Sequence, residues 1–292
     1  PKAKAKAKAK AKAKAKAINN IKVEYVKDFR DPRKHKSLIA MINIDSSITP
    51  TEKRALKNAE GIISVSAFTG KLTNELMGLN KSFAVIPNSI DASLFKPKEN
   101  DSKTLSILYF GTLIRKKGLL ELPEIFNIVN KSNNEVKLLL VGKDSADIKT
   151  GAPSTWELMK LLFNQSSIKK VEYFGAVAYS KIQDLIKEAT VCVFPTFAEA
   201  LPLSWLEAMS MEKAIVASNI GWAEEMIENK KEGFLVNPTN HAQYAECILD
   251  LLNDSKKQEL YGKAARKKVE SQFSQKLIAK RSIEFYKKII ES

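Results

Sequence analysis

Six short apolar runs, each separated from the next by a helical pattern, restrict the fold of this sequence more than any other feature. The runs cover residues 105–110, 136–141, 171–174, 191–194, 214–218 and 233–236. Near-continuous apolar strands that alternate with helices are typical of a parallel sheet with both faces covered. The pattern therefore predicts an α/β domain with a doubly wound, Rossmann-like parallel sheet, which binds ligands beyond the carboxyl ends of its strands.

Changes in composition predict the domain boundaries. Residues 1–17 alternate lysine with alanine and lack hydrophobic periodicity, so we expect an artificial or unassigned tail. Weaker strand and helix patterns follow, and then a polar stretch around Pro97 that is typical of a linker. The predicted division is the tail at 1–17, a partial amino-terminal domain at 18–90, a hinge at 91–103, a complete carboxyl-terminal domain at 104–275 and a final helix at 276–292.

Charge and composition exclude several classes of protein. The net charge of +15 falls to +7 once the eight lysines of residues 1–17 are removed, so it gives little support to a nucleic-acid-binding module. No apolar run approaches the ~20 residues of a membrane-spanning helix. Two cysteines and two histidines are too few for a disulfide framework or a zinc site. We expect a reducing, cytoplasmic setting and no nucleic acid partner.

The first candidate for function is the loop after the first strand, GTLIRKKG at residues 111–118. It contains Arg115, Lys116 and Lys117 at the expected start of a helix over residues 117–129. Cationic side chains beside a helix amino terminus form a site for anions such as phosphate. The GxGxxG spacing of dinucleotide sites is absent, and a solvated basic turn is the alternative interpretation.

The second candidate is the segment after the fourth strand, which carries Glu199 and, eight residues on, Glu207. The helix predicted over residues 203–210 leaves the amides of Leu203 and Ser204 unpaired in its first turn. Two carboxylates beside such amides suit a ligand that combines sugar hydroxyls with a phosphate. The alternative interpretation is that Glu199 caps the helix and Glu207 is solvated.

In combination, these segments resemble a known family. The strings YFGTLIRKKG, VKLLLVG, VEYFGAV and EALPLSWLE occur in the order and spacing of the carboxyl-terminal domain of the family-4 retaining glycosyltransferases, which have the GT-B fold. SVSAFT and VIPNSIDASLFKP resemble the end of that family's amino-terminal domain and its interdomain hinge. The resemblance covers residues 55–292 and implies a nucleotide-sugar donor.

The resemblance implies roles for several positions. Lys117 corresponds to the lysine that neutralises the donor diphosphate, and Glu199 to the glutamate at the transferred sugar; these are the two expected catalytic residues. Glu207 corresponds to the glutamate that hydrogen-bonds the ribose, and Leu203 and Ser204 to the turn whose amides meet the diphosphate. The remaining expected donor-binding residues, in the phosphate loop and where the base is received, are Gly111, Thr112, Arg115, Lys116, Gly175 and Val177.

Two positions depart from the family pattern. An arginine commonly follows the first glycine of the phosphate loop, whereas this sequence has Thr112, so Arg115 or Lys116 is the expected substitute. The glycine-rich turn between the two glutamates is replaced by a segment that contains Pro202. Because proline has no N–H, only the amides that follow it can contact a phosphate.

The resemblance also implies an amino-terminal domain of similar size that binds the acceptor. Few native-looking residues precede the hinge, so we expect much of that domain to be missing or hidden in the Lys-Ala run. The family's acceptor-side histidine falls in that region. We expect His35 to be a surface residue and His241 to be structural, and assign neither to catalysis.

We therefore predict a retaining glycosyltransferase that moves a sugar from a nucleotide sugar to a carbohydrate or lipid-linked acceptor, in bacterial polysaccharide or glycolipid assembly. No cofactor and no divalent metal are expected, because side chains supply the cations and no Asp-x-Asp motif is present. Residues 276–292 are expected to pack on the amino-terminal domain, with peripheral contact at the inner membrane face as the alternative. Two other functions remain open. The donor-site residues are also compatible with a protein that binds a nucleotide sugar but is catalytically incomplete, and the two carboxylates are compatible with a glycosidase.

Overall fold

A computed structural model of this chain describes residues 23–25, 39–42, 50–97 and 105–291. The expected tail, the position of His35 and the last part of the expected hinge, residues 98–103, lie outside the described residues. The chain divides into two compact units, Pro1–Asn88 with Lys276–Ser292 and Ser89–Gln275.

The described residues form ten strands: β1 (Val23–Tyr25), β2 (Ile39–Ile42), β3 (Gly61–Ser64), β4 (Ala84–Val85), β5 (Ser106–Phe110), β6 (Lys137–Val141), β7 (Val171–Tyr173), β8 (Val191–Phe194), β9 (Ala214–Ser218) and β10 (Phe234–Val236). The α-helices of the same segments are α1 (Pro50–Asn58), α2 (Ala67–Met77), α3 (Leu122–Ser132), α4 (Thr155–Lys160), α5 (Tyr179–Glu188), α6 (Leu203–Ser210), α7 (Ala223–Met226), α8 (His241–Asn253), α9 (Ser255–Lys268) and α10 (Gln275–Ile290). Short 3₁₀ turns occur at Arg115–Lys117 and Ile168–Lys170, and a π-helical turn at Val269–Phe273. None of these helices has both the length and the apolar character needed to cross a membrane.

Six of the strands form one parallel sheet in the order β10-β9-β8-β5-β6-β7. The first strand, β5, lies in the middle; the chain builds outward through β6 and β7, and then on the other side through β8, β9 and β10. The predicted doubly wound α/β sheet is confirmed. Its strand order reverses between β5 and β8, which is where a doubly wound sheet opens a crevice at the carboxyl ends of its strands.

Burial on both faces explains why these strands are continuous apolar runs. Every residue of β5, β8 and β9 is buried. Helix α8 contacts β8, β9 and β10 and packs against α3. Burial of each valine, leucine or isoleucine side chain contributes about 1.5–3 kcal/mol to the free energy of folding. The sheet is therefore a stable frame for the loops at its ends.

The loop after β5 does not continue into a helix at residue 117. Arg115–Lys117 form a single 3₁₀ turn, and α3 begins at Leu122. Gly118 ends the turn with φ +73°, and a Cβ atom there would lie 1.7 Å from the carbonyl oxygen of Pro195. The left-handed backbone and this close contact interrupt the helix, so the predicted start at residue 117 was wrong.

The smaller sheet has the order β1-β2-β3-β4, with β1 antiparallel to β2 and the other pairs parallel. Helix α10 belongs to the same unit. Ile278 of α10 packs against Ile63 and Ile86, and Arg281 Nη2 donates to the carbonyl oxygen of Val85 at 2.6 Å. These contacts hold α10 beside β3 and β4.

We expect Gly118→Ala to destabilise the larger unit far more than Gly151→Ala. Both glycines have left-handed backbones, with φ of +73° and +76°, so each alanine costs about 1–2 kcal/mol in backbone strain. At residue 118 the new Cβ also meets a backbone oxygen, which adds about 1–3 kcal/mol. At residue 151 the position of the new Cβ is open.

Urea unfolding followed by tryptophan fluorescence measures both losses, because Trp156, Trp205 and Trp222, the three tryptophans of the chain, lie in this unit. The difference between the two variants isolates the contact with Pro195. Equal losses would show that this contact does not constrain the loop.

Candidate active site

A cavity of about 450 Å³ lies beyond the carboxyl ends of β5, β6 and β8, where the strand order reverses. The expected site residues that line it are Gly111, Thr112, Lys117, Val177, Glu199, Leu203, Ser204 and Glu207. They come from the loops after β5, β7 and β8 and from α6. The parallel sheet thus brings together, at one edge, segments that are far apart in the sequence.

Lys117 and Glu199 form an ion pair in this cavity, with Nζ 2.9 Å from Oε1. Their side chains are 23% and 20% exposed, so both are largely withdrawn from water. The carbonyl oxygen of Lys116 accepts hydrogen bonds from the N–H of Phe197 at 2.8 Å and from Thr196 Oγ1 at 3.2 Å. These bonds join the loops after β5 and β8 beside the ion pair and hold its two members together.

The amino terminus of α6 faces the same cavity. Pro202 precedes the helix in an extended conformation, and among the described residues no side chain caps the first turn. Leu203 and Ser204, the first two helical residues, line the cavity. An uncapped helix amino terminus carries partial positive charge and favours an anionic ligand. The helix dipole that the sequence predicted beside Lys117 is therefore supplied by α6 rather than by α3.

Glu207 lies on α6, is only 7% exposed and lines the cavity. Tyr179, the first residue of α5, donates its phenol hydrogen to Glu207 Oε1 over 2.6 Å. Burial raises the pKa of the Glu207 carboxyl, and the hydrogen bond from Tyr179 opposes that rise. Burial first, and then the neighbouring Glu207, raise the pKa of the Tyr179 phenol, which stays a neutral donor.

Sequence reasoning missed Tyr179. Its only signal was an aromatic side chain that follows Val177 at the start of a helix. The hydrogen bond to Glu207 joins α5 to α6, two helices on different crossovers of the sheet. A pairing of this kind leaves no local pattern in the sequence.

The chain between the two glutamates takes a strained course. Leu201 has φ +62°, a left-handed conformation that costs a residue other than glycine about 1–2 kcal/mol. Its side chain is 1% exposed. Burial of a leucine side chain contributes about 1.5–3 kcal/mol, which is enough to offset the strain. A buried apolar side chain therefore holds the turn that is glycine-rich in the family that the sequence resembles.

Arg115 does not line the cavity. Its Nε and Nη2 atoms donate to the two carboxylate oxygens of Asp147 at 2.8 and 2.7 Å. Asp147 is buried, and above all the hydrogen bonds from Arg115 hold the pKa of this carboxyl well below its usual range. The guanidinium of Arg115 is therefore paired with a carboxylate of the loop after β6. The structure thus pairs Arg115 with Asp147 outside the cavity lining, whereas the sequence led us to expect it, or Lys116, at the donor in place of the arginine missing at Thr112.

Lys116 and Gly175 also lie outside the cavity lining. Lys116 acts through its carbonyl oxygen, which joins the two loops. Gly175 accepts a hydrogen bond from the N–H of Gly142 at 2.8 Å and so supports the wall formed by the loops after β6 and β7. For both residues, what the structure shows is support of the surrounding backbone.

Lys143 lines the cavity although the sequence analysis did not single it out. It directly follows Gly142, at the end of β6, and its side chain is exposed. No ion pair to its ammonium group occurs within residues 50–97 and 105–291. Whereas Lys117 is paired with Glu199, Lys143 brings to the cavity a second cation that forms no ion pair with the described residues.

In the segments that the structure describes, no three histidine, cysteine, aspartate or glutamate side chains are grouped as metal ligands. His241 Nε2 lies 2.7 Å from Glu121 Oε2, at the start of α8, and neither residue lines the cavity.

The chain is similar to glycosyltransferases in sequence and in structure. The capsular polysaccharide biosynthesis glycosyltransferase CapM of Staphylococcus aureus is 27% identical over 250 residues, which cover 78% of this chain and 61% of CapM. Sucrose-phosphate synthase of Thermosynechococcus elongatus superposes with a TM-score of 0.72 at 23% identity, covering 82% of this chain and 61% of that one. HepE of Anabaena, solved in complex with UDP-glucose, gives a TM-score of 0.68 at 20% identity, with 82% and 68% covered.

These structural likenesses confirm the predicted GT-B-like α/β fold. The chain spans about three fifths of the length of the curated relatives it matches. The sequence model of the family described as "Glycosyl transferases group 1" matches residues 91–268, more than half of the chain and the whole of the cavity. This chain belongs to the group 1 glycosyltransferases.

Proposed function

We propose that this chain binds a nucleotide sugar and takes part in transferring its glycosyl unit, with retained anomeric configuration, to an acceptor hydroxyl. The observation that carries the proposal is the single cavity that contains Lys117, Glu199, Glu207 and the first turn of α6. An ammonium group and open amides suit the diphosphate, and two carboxylates suit hydroxyl groups. The cavity volume of about 450 Å³ lies within the range of ~300–1,000 Å³ that is usual for small-molecule sites.

The charges of the cavity support stabilisation of a departing diphosphate. As the bond between the anomeric carbon and the phosphate oxygen lengthens, negative charge accumulates on the leaving group. Lys117 and the amides of Leu203 and Ser204 are fixed positive groups in a partly dry site, where such stabilisation is strong. Lys143 supplies a further cation to a cavity in which Thr112 replaces an arginine. We therefore expect no requirement for a divalent metal.

The proposed transfer keeps the acceptor on the same face of the sugar as the leaving group. The acceptor oxygen forms its bond to the anomeric carbon as the bond to the phosphate oxygen breaks, and the acceptor proton passes to that phosphate oxygen. Glu199 orients the sugar and does not attack it. Because Glu199 is paired with Lys117 at 2.9 Å, an arriving diphosphate competes for the lysine and releases the glutamate to the sugar hydroxyls.

The relatives favour particular substrates. HepE was solved with UDP-glucose, so a UDP-sugar is our first candidate donor. Ala176, Val177 and Ile182 give the cavity an apolar wall for the base. The name of CapM supports an acceptor in polysaccharide assembly, either a carbohydrate or a lipid-linked glycan. We propose that the reaction takes place in the cytoplasm, with peripheral contact at the inner membrane face if the acceptor is lipid-linked.

A panel of UDP-, GDP- and ADP-sugars, each beside its nucleoside diphosphate, tests the proposal by thermal shift. A ligand that binds only the folded state raises the melting temperature. Transfer assays with the stabilising donor, and NMR of the product anomer, then test the reaction. Absence of a shift with every nucleotide would contradict the proposal. Binding without transfer would favour a donor-binding protein that is catalytically incomplete, and sugar release from simple glycosides would favour a glycosidase.

We expect Lys117→Ala to weaken nucleoside diphosphate binding about 10- to 150-fold, because a charge-assisted hydrogen bond is worth about 1.5–3 kcal/mol. Lys116→Ala is the matched control: it removes the same charge one residue away, from a side chain outside the cavity lining. The control should change affinity by no more than about 5-fold. Titration calorimetry measures the affinity of both variants. Similar losses of affinity would mean that Lys117 acts only through the net charge of the loop and not by direct contact with the diphosphate.

We expect Glu199→Gln to separate binding from transfer. The substitution removes the carboxylate that competes for Lys117, so affinity for the free nucleoside diphosphate should rise about 2- to 5-fold, the range of a partly exposed ion pair. The rate of sugar transfer at saturating donor should fall about 100-fold, since the sugar loses its orienting group. Calorimetry and initial-rate assays measure the two effects. A loss of nucleoside diphosphate affinity would mean that the ion pair does not oppose binding.

A further inference from the structure

The carboxylate of Glu207 is buried, and burial disfavours its ionised form. It is 7% exposed and lines the cavity, and a buried carboxylate requires hydrogen-bond donors to remain ionised. Among the described residues, the phenol of Tyr179 is the one hydrogen-bond donor to this side chain, at 2.6 Å from Oε1. The orientation of Glu207 in the cavity therefore depends on a residue from another helix.

We propose that Tyr179 is a positioning residue, which holds Glu207 by Oε1 so that Oε2 receives the vicinal hydroxyls of the donor ribose. The inference rests on the proposed function, because it assumes that a nucleotide occupies the cavity. It adds a residue that acts through Glu207. Tyr179 also lines the cavity, so a bound nucleotide would shield its hydrogen bond to Glu207 from solvent.

The position of Tyr179 is set by its surroundings. Its ring packs edge-on against Phe95, with centroids 5.9 Å apart and planes at 68°. Phe95 is 2% exposed, and its carbonyl oxygen accepts a hydrogen bond from Arg266 Nη1 at 3.0 Å. Ala178 has an extended backbone, so α5 begins at Tyr179. The position of the phenol is thus set by the start of α5 and by the packing of its ring on the buried Phe95.

The exposure of Tyr179 distinguishes positioning from packing. The residue is 61% exposed, so its ring contributes little to the core of the unit. Its removal leaves the buried Glu207 without the donor that supports its ionised form. Tyr179→Phe should therefore keep the fold and change the behaviour of the carboxylate.

Calorimetry of the full chain with UDP, GDP and ADP, each beside its 2′-deoxy counterpart, tests the proposal. The wild-type protein should bind the ribonucleotide about 10-fold more tightly than the deoxy form. In Tyr179→Phe, ribonucleotide binding should weaken about 3- to 10-fold, as expected for one hydrogen bond, and deoxynucleotide binding should stay nearly constant. The preference for ribose should therefore largely disappear.

The pH dependence of binding gives a second readout. The hydrogen bond from Tyr179 lowers the pKa of the Glu207 carboxyl, so its loss raises that pKa further. Affinity for the ribonucleotide should then decline at a higher pH in Tyr179→Phe than in the wild-type protein as the solution is acidified. The other titratable groups that line the cavity, Lys117, Lys143 and Glu199, are common to both proteins.

Tyr261→Phe is the control, because Tyr261 packs against Phe234 and does not line the cavity. It should leave the ribose preference and the pH profile unchanged. Equal losses of ribo- and deoxynucleotide binding in Tyr179→Phe, or an unchanged ribose preference, would overturn the positioning role and leave the proposed function intact. Failure of the wild-type protein to bind any of these nucleotides would overturn both.

Discussion

The junction between the loops after β5 and β8 determines the geometry of the whole cavity. Gly118 meets the backbone of Pro195 so closely that no side chain fits between them, and Lys116 accepts two hydrogen bonds from the loop after β8. Since these contacts involve backbone atoms, they leave the side chains of both loops available for the cavity. The same junction brings Lys117 and Glu199 within ion-pair distance.

The sheet could be predicted from the sequence because burial on both faces determines the composition of its strands. The predicted bounds of α6, residues 203–210, also agree with the structure, since its buried face and the proline before it are local features. The start of α3 could not be found in the same way. It depends on Gly118 meeting Pro195, a residue on a different strand-to-helix loop, and no local pattern records that contact.

The site was predicted unevenly for a similar reason. Arg115, Lys116 and Lys117 form one run of cations in the sequence, and only the family resemblance, not the run itself, singles out Lys117. Their partners do so in the structure: the first is bound to Asp147, the second acts through its carbonyl oxygen, and the third meets Glu199 in the cavity. Tyr179 and Lys143 were missed because their roles arise only where separate crossovers of the sheet converge.

The left-handed Leu201 has a consequence for how the cavity accepts ligands. A glycine-rich turn samples many conformations, and binding must then remove that freedom. Here a buried leucine anchors the turn between Glu199 and α6, so the loop has little entropy to lose when a ligand arrives. The spacing of the two glutamates is set in advance. Such a preorganised turn favours selective binding of one ligand shape over tolerance of many.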